Sequence, residues 1–146
     1  HSFVFYVVAH YSVHSGHIAL NSIQRRCVKV STAEYISVSR FFPPDNFNLA
    51  VLTLELDFIK RGSRSEQIDA VLLSKQLKNS FINQVMTAGQ TVLFEFHGNK
   101  YNFSVSQAVV EGQENSLERG MISYDTYIIF EASRDSGIKI VNQREA

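Results

Sequence analysis

The 146-residue sequence predicts a mainly β chain that becomes α+β in its second half, and three observations carry that reading. Leu52, Leu54, Leu56 and Phe58 alternate with Thr53, Glu55 and Asp57, which is the period-two pattern of a half-buried strand. Ala70, Leu73, Leu77 and Phe81 recur every three or four residues, the stripe of an amphipathic helix. Two short runs rich in β-formers, Thr91 to Phe96 and Tyr101 to Val105, flank His97-Gly98-Asn99-Lys100, whose Gly and Asn tolerate positive φ, so the pair reads as a hairpin.

In chain order, the first half predicts short strands at Phe3 to Ala9, His17 to Asn21, Tyr35 to Phe42 and Leu49 to Ile59, with a turn at Pro43-Pro44-Asp45-Asn46. Such a set makes a small, mostly antiparallel barrel or sandwich. Gly62 to Gln67 contains no large apolar side chain and reads as a connector. The helix is expected over Gln67 to Ile82, with Ser65 as its cap, Glu66 and Asp69 near its positive start and Lys75 and Lys78 toward its end. Ile68 and Leu72 widen its apolar stripe. Further strands are expected at Thr126 to Ala132 and Ile138 to Val141, with a polar loop from Glu111 to Gly120. The implied organisation is a first unit over 1–61, a connector over 62–67 and a second unit over 68–146. The chain opens without Met, directly on a strand-like run, and reads as a truncated or processed piece whose first strand lacks a ladder partner.

Composition narrows the function. Hydrophobic residues make up 45% of the chain and charged residues 19%, which suits a globular body with a real core. The longest apolar runs fall far short of the roughly 20 residues that span a bilayer, and no basic leader precedes the first of them. A single cysteine, Cys27, forms no internal disulfide and suits a reducing compartment, so the cytosol is the expected location. Lys and Arg outnumber Asp and Glu by seven to four over 1–64, balance at three each over 65–110, and fall to four against seven over 111–146. The chain is neutral but polarised. That balance argues against nucleic-acid binding, which calls for a domain-wide basic excess. Two local clusters, Arg25-Arg26 with Lys29 and Lys60-Arg61 with Arg64, fit an acidic protein partner better.

Catalytic patterns are weak. The glycines never fall at the spacing G-x-x-x-x-G-K-[ST], so no phosphate loop is present and no ATP or Mg is expected to bind here. His10, His14 and His17 lie close together, but no Cys or carboxylate joins them, and they read as solvated histidines of a loop rather than metal ligands. Cys27 sits beside three cations that would lower a thiol pKa, yet a lone small residue is more often packing. Glu55 and Asp57 read as the solvated face of their strand. Neither a catalytic residue, a metal nor a cofactor is expected in this piece.

The succession LTLELDFIKRG, QLKNSFINQVMTAGQTVLFEFHGNKY, DTYIIFEAS and SGIKIVNQREA, preceded by GHIALNSIQRR and SVSRFFPPDNF, resembles the amino-terminal domain of the N-ethylmaleimide-sensitive factor family of vesicle-fusing AAA ATPases, closest to the plant forms. That resemblance covers nearly the whole chain. It implies a double-psi β-barrel, here lacking its first strands, followed by an α+β roll, with a groove between them that recruits the SNAP adaptor seated on SNARE complexes. It implies a non-catalytic, cytoplasmic module, monomeric by itself and membrane-associated only through partners, in a hexameric parent that uses ATP and Mg. Carried over to this chain, the adaptor-binding residues are Arg25, Arg26, Lys60 and Arg61. Animal relatives place the second basic pair one position later, where this chain has Gly62, and Arg61 corresponds better than Lys60. Alternation puts Lys60 and Arg61 on opposite faces if the strand continues so far. Two alternatives stand beside this reading: a freestanding double-psi barrel enzyme, and a binder of ubiquitin-like proteins.

Overall fold

The computed structural model describes residues 3–59, 65–112 and 119–143. Its order is α1 (Ser22–Val28), β1 (Leu49–Phe58), β2 (Glu66–Asp69), α2 (Ala70–Phe81), β3 (Val85–Thr87), β4 (Thr91–Phe96), β5 (Asn99–Val110), β6 (Arg119–Met121), β7 (Tyr127–Ala132) and β8 (Ile138–Val141). The fold is mainly β and α+β, as the sequence predicts.

β1 organises the main sheet, whose strand order is β4-β5-β1-β7. It pairs antiparallel with β5, from Leu49 opposite Val110 to Phe58 opposite Tyr101, and parallel with β7, from Val51 opposite Tyr127 to Leu56 opposite Ala132. Leu52, Leu54, Leu56 and Phe58 are all buried, together with Phe103, Val105 and Phe130 from its neighbours. Thr53, predicted on the solvated face, is buried too, whereas Glu55 on the same face is exposed. Ser106 is the extra residue of a bulge in β5 between the Leu54–Val105 and Thr53–Gln107 pairs, and its hydroxyl donates to the Thr53 carbonyl at 3.2 Å. β1 falls within the unit expected over 1–61, yet its ladder partners all lie in the second half of the chain.

The helix starts later than predicted. Glu66 to Asp69 form β2, parallel to β8, so part of the expected connector is strand. Asp69, not Ser65, caps α2: its Oδ1 accepts from the amides of Val71 and Leu72 at 2.9 and 3.2 Å. Ala70, Leu73 and Leu77 are buried and Phe81 packs on Phe94, but Leu72 is half exposed, so the apolar stripe is narrower than expected. Lys78 Nζ donates to the Tyr124 carbonyl at 2.9 Å near the helix end. The hairpin is present, with its positive φ at His97 (50°) and Gly98 (81°) rather than at Gly and Asn; Asn99 is already in β5. Two successive residues of positive φ match the right-handed twist of the flanking strands.

Polar braces tie the pieces together. Glu66 accepts from Asn99 Nδ2 at 2.7 Å and from the Tyr101 hydroxyl at 2.8 Å, joining β2 to β5. Thr126, fully buried, donates to the Leu49 carbonyl at 2.7 Å and accepts from the Ser123 amide. Gly120, paired with Met86 across β3 and β6, leaves room for the Leu49 and Val110 side chains.

Among the described residues of 3–48 the only regular element is α1; none of the strands expected at Phe3–Ala9, His17–Asn21 or Tyr35–Phe42 is formed. A run of β-forming residues does not by itself make a strand, which also needs a ladder for its main-chain groups and a surface for its apolar face. Tyr6, Val7, Val8, Tyr35, Val38 and Phe42 have neither and are exposed.

Two predictions follow from this packing. A Cβ at Gly120 would stand 2.5 Å from Leu49 Cδ2 and 2.9 Å from Val110 Cγ2, so Gly120→Ala is expected to overpack the core and cost about 1–3 kcal/mol in a denaturant titration. Hydrogen bonds from Asn142 and from the helix amides hold the Asp69 carboxyl below its ordinary value of 3.8. Its folded pKa is depressed, so its stabilisation is complete above that value and fades as pH falls through the lower, folded one. Thermal melts from neutral pH into the acid range are expected to show a steeper loss for the wild type than for Asp69→Asn.

Candidate basic docking site

The first predicted basic segment, Arg25-Arg26, lies on a helix that the sequence reading missed. Asn21 starts it with a capping box: Asn21 Oδ1 accepts from the Gln24 amide at 2.7 Å, and Gln24 Oε1 accepts from the Asn21 amide at 2.9 Å. Lys29 ends it in the left-handed conformation, φ 60°. There the Val30 amide bonds the Arg25 carbonyl and the Lys29 amide bonds the Arg26 carbonyl, a Schellman closure. An Asn followed three residues later by Gln was the signal that could have located the helix.

This geometry separates two neighbouring cations. Arg25 is half-buried, and its guanidinium donates to the Leu20 carbonyl just ahead of the helix. Arg26, one position on, is exposed, as is Lys29. Successive helix residues lie about 100° apart, so the turn that folds Arg25 back onto the chain points Arg26 to solvent. Both Arg25 and Arg26 sit in the last turn, where the helix dipole favours positive charge. Arg25 therefore braces the entry to α1, and Arg26 with Lys29 forms its free basic face.

α1 packs near β4 and borders a cleft of about 150 Å³ between the extended residues 4–6, α1 and the segment from Phe81 to Leu93. Phe5, Ile23, Met86 and Val92 give it apolar walls, and Asn21, Gln24, Gln84 and Gln90 line it with carboxamides. Such a volume is below the usual range of about 300–1,000 Å³ for small-molecule pockets. Among the described residues, no charged side chain lines it.

Lys60 and Arg61, the second predicted segment, lie outside the described residues. The last described residue before them, Ile59, donates its amide to the Lys100 carbonyl, which sets the exit of β1 beside the β4–β5 turn. α1 meets β4 at its other end, around Thr91 to Leu93.

The other candidates fall into structural roles. His10, His14 and His17 are exposed; His10 Nδ1 accepts from the Ser12 amide, and His17 Nδ1 lies 3.1 Å from the Ser15 carbonyl. No three metal-ligating side chains gather among the described residues. Cys27 is a half-buried free thiol on α1. Glu55 is exposed, and Asp57 accepts from the Phe58 amide at 2.9 Å. No helix among the described residues is long and apolar enough to cross a membrane.

Residues 67–133, from within β2 through β7, match the family model of Cell division protein 48 (CDC48), domain 2. The chain is also 59% identical over 147 aligned residues to a vesicle-fusing ATPase of Arabidopsis thaliana, an alignment covering 99% of this chain and 20% of that protein. The resemblance to the amino-terminal domain of the N-ethylmaleimide-sensitive factor family is thereby borne out along almost the whole chain, which spans about a fifth of the relative's length.

Because the Asn21 cap satisfies two amide donors reciprocally, Asn21→Ala is expected to weaken α1 by about 0.5–2 kcal/mol. Amide exchange within Ser22–Val28 is expected to quicken while the main sheet keeps its protection.

Proposed function

We propose that this chain is a non-catalytic, adaptor-binding module of a longer vesicle-fusing AAA ATPase, and that it recruits SNAP–SNARE complexes by presenting local positive charge to an acidic adaptor surface. The observation that carries the reading is the exposed Arg26–Lys29 face of a well-capped helix on a chain of zero net charge. A neutral body does not attract acidic surfaces at large, so attraction is confined to the patch. One exposed ion pair contributes only about 0.2–1 kcal/mol. Arg26 therefore needs company, and Arg61, with Lys60 beside it, is the proposed second pole.

Weak contacts of this kind steer encounter and set orientation more than they hold, and they fade as salt screens them. Several modules on one hexameric parent would add avidity while leaving each contact reversible. In this reading ATP and Mg act in the remainder of the longer protein, in the cytoplasm, and the module reaches membranes through its partners. The similarity to the vesicle-fusing ATPase supports this placement. A freestanding enzyme or a binder of ubiquitin-like proteins gains no support from the described residues.

The test is capture of purified SNAP, with and without SNARE complex, across a salt series. Arg26→Glu combined with Arg61→Glu is expected to abolish capture at low salt while leaving thermal stability near wild type. Arg25→Ala is expected to do the reverse, lowering the stability of α1 with a smaller effect on capture. Undiminished capture by the double reversal at low salt would refute the proposed site.

A further inference from the structure

Among the described residues, the strand order β4-β5-β1-β7 leaves one side of β7 without a strand neighbour. Midway along that strand, Phe130 has both main-chain groups engaged by one side chain. Gln143 Oε1 accepts from the Phe130 amide at 2.6 Å, and Gln143 Nε2 donates to the Phe130 carbonyl at 2.9 Å. A carboxamide presents an acceptor and a donor side by side, as the C=O and N–H of a single strand residue do toward its ladder partner. It therefore supplies one rung of a β-ladder where no strand of the described residues runs.

The preceding residue makes a second attachment in another direction. Asn142, in the left-handed conformation at φ 59°, donates from Nδ2 to Asp69 Oδ2 at 2.7 Å. The other oxygen of the same carboxylate caps α2. The parallel register of β2 and β8 pairs Asp69 with Val141, which delivers Asn142 directly beside the helix start. Consecutive Cα atoms are 3.8 Å apart, so a shift of the chain by one residue would carry both carboxamides out of hydrogen-bond reach.

We propose that Asn142 and Gln143 form a clasp that couples the N-terminus of α2 to the edge of β7. When closed, it orients the capping carboxylate and occupies the main-chain groups of Phe130. When the chain after β8 moves away, both ends lose their attachment together, and β7 presents an unpaired amide and carbonyl on its open side. Coupling of this kind is reciprocal, because each end favours the same position of one strap. A carboxamide does not ionise, so the β7 end is insensitive to the salt that governs the basic face.

Residue-resolved amide exchange on the whole chain tests the clasp. Gln143→Ala is expected to speed exchange of the Phe130 amide about tenfold, and that of Val71 and Leu72 by a smaller factor. Asn142→Gly is the discriminating variant, since it preserves the left-handed backbone, removes only the bond to Asp69 and leaves Gln143 intact. It is expected to speed Phe130 exchange as well. Gln143→Glu keeps the acceptor and loses the donor, so its Phe130 amide is expected to stay closer to wild-type protection than in Gln143→Ala. An unchanged Phe130 rate in Asn142→Gly would remove the coupling. A uniform acceleration across β1 and β5 would reduce both residues to general contributors to stability, and equal Phe130 rates in the Glu and Ala variants would overturn the assigned bonding.

Discussion

The buried row Leu52, Leu54, Leu56 and Phe58 on β1 is the constraint around which the remaining elements are arranged. Removing that strand from water strands its peptide groups as well as its side chains, and unpaired main-chain donors and acceptors are costly in an apolar interior. β1 meets the demand with β5 on one side and β7 on the other. The parallel pairing with β7 requires the chain to travel out and back, and α2 lies along that route. Its apolar face, with Leu73 and Leu77, closes over the same core.

Polar residues fix the periphery that hydrophobic burial leaves loose. Glu66 ties β2 to β5, Thr126 ties the start of β7 to the first carbonyl of β1, and Asp69 ties the helix start to the chain after β8. Each bond joins residues far apart in sequence, and each sits where a strand or helix begins or ends. Apolar contact sets how much surface is buried but is non-directional. These hydrogen bonds set register at the ends, where one residue of slippage would invert the faces of a strand.

What the sequence made legible follows from how local each determinant is. β1, β4, β7 and β8 were visible within a residue or two because their period-two patterns are backed by real ladders. The body of α2 was visible because its stripe matches the helical repeat. Its start was not, since EQID satisfies helix and strand patterns alike until β8, 72 residues away, claims it as a strand partner. The early runs failed for the opposite reason: Phe3–Ala9 is a continuous run of β-formers and Tyr35–Phe42 alternates, but neither has a ladder among the described residues. At the basic site the residue types were legible, but their division of labour was not. Nothing in the pair Arg25-Arg26 says which one turns back to Leu20; that depends on the helix phase set by Asn21.

That phase also governs how the basic face could work. A cation tied to a backbone carbonyl, such as Arg25, has its side chain folded back on the chain and less freedom to follow a partner. An exposed cation such as Arg26 keeps its full fork of donors but loses most of its reach beyond about 8 Å at physiological ionic strength. Recognition by such a face is therefore contact recognition. It discriminates only if a second positive pole meets the partner at a fixed separation, because one pole fixes no orientation. The neutral cleft beside α1 adds a complementary feature: its carboxamides offer hydrogen bonds that salt does not weaken. A partner that matched both charge and hydrogen bonding would keep part of its affinity in high salt, whereas one that matched charge alone would lose nearly all of it.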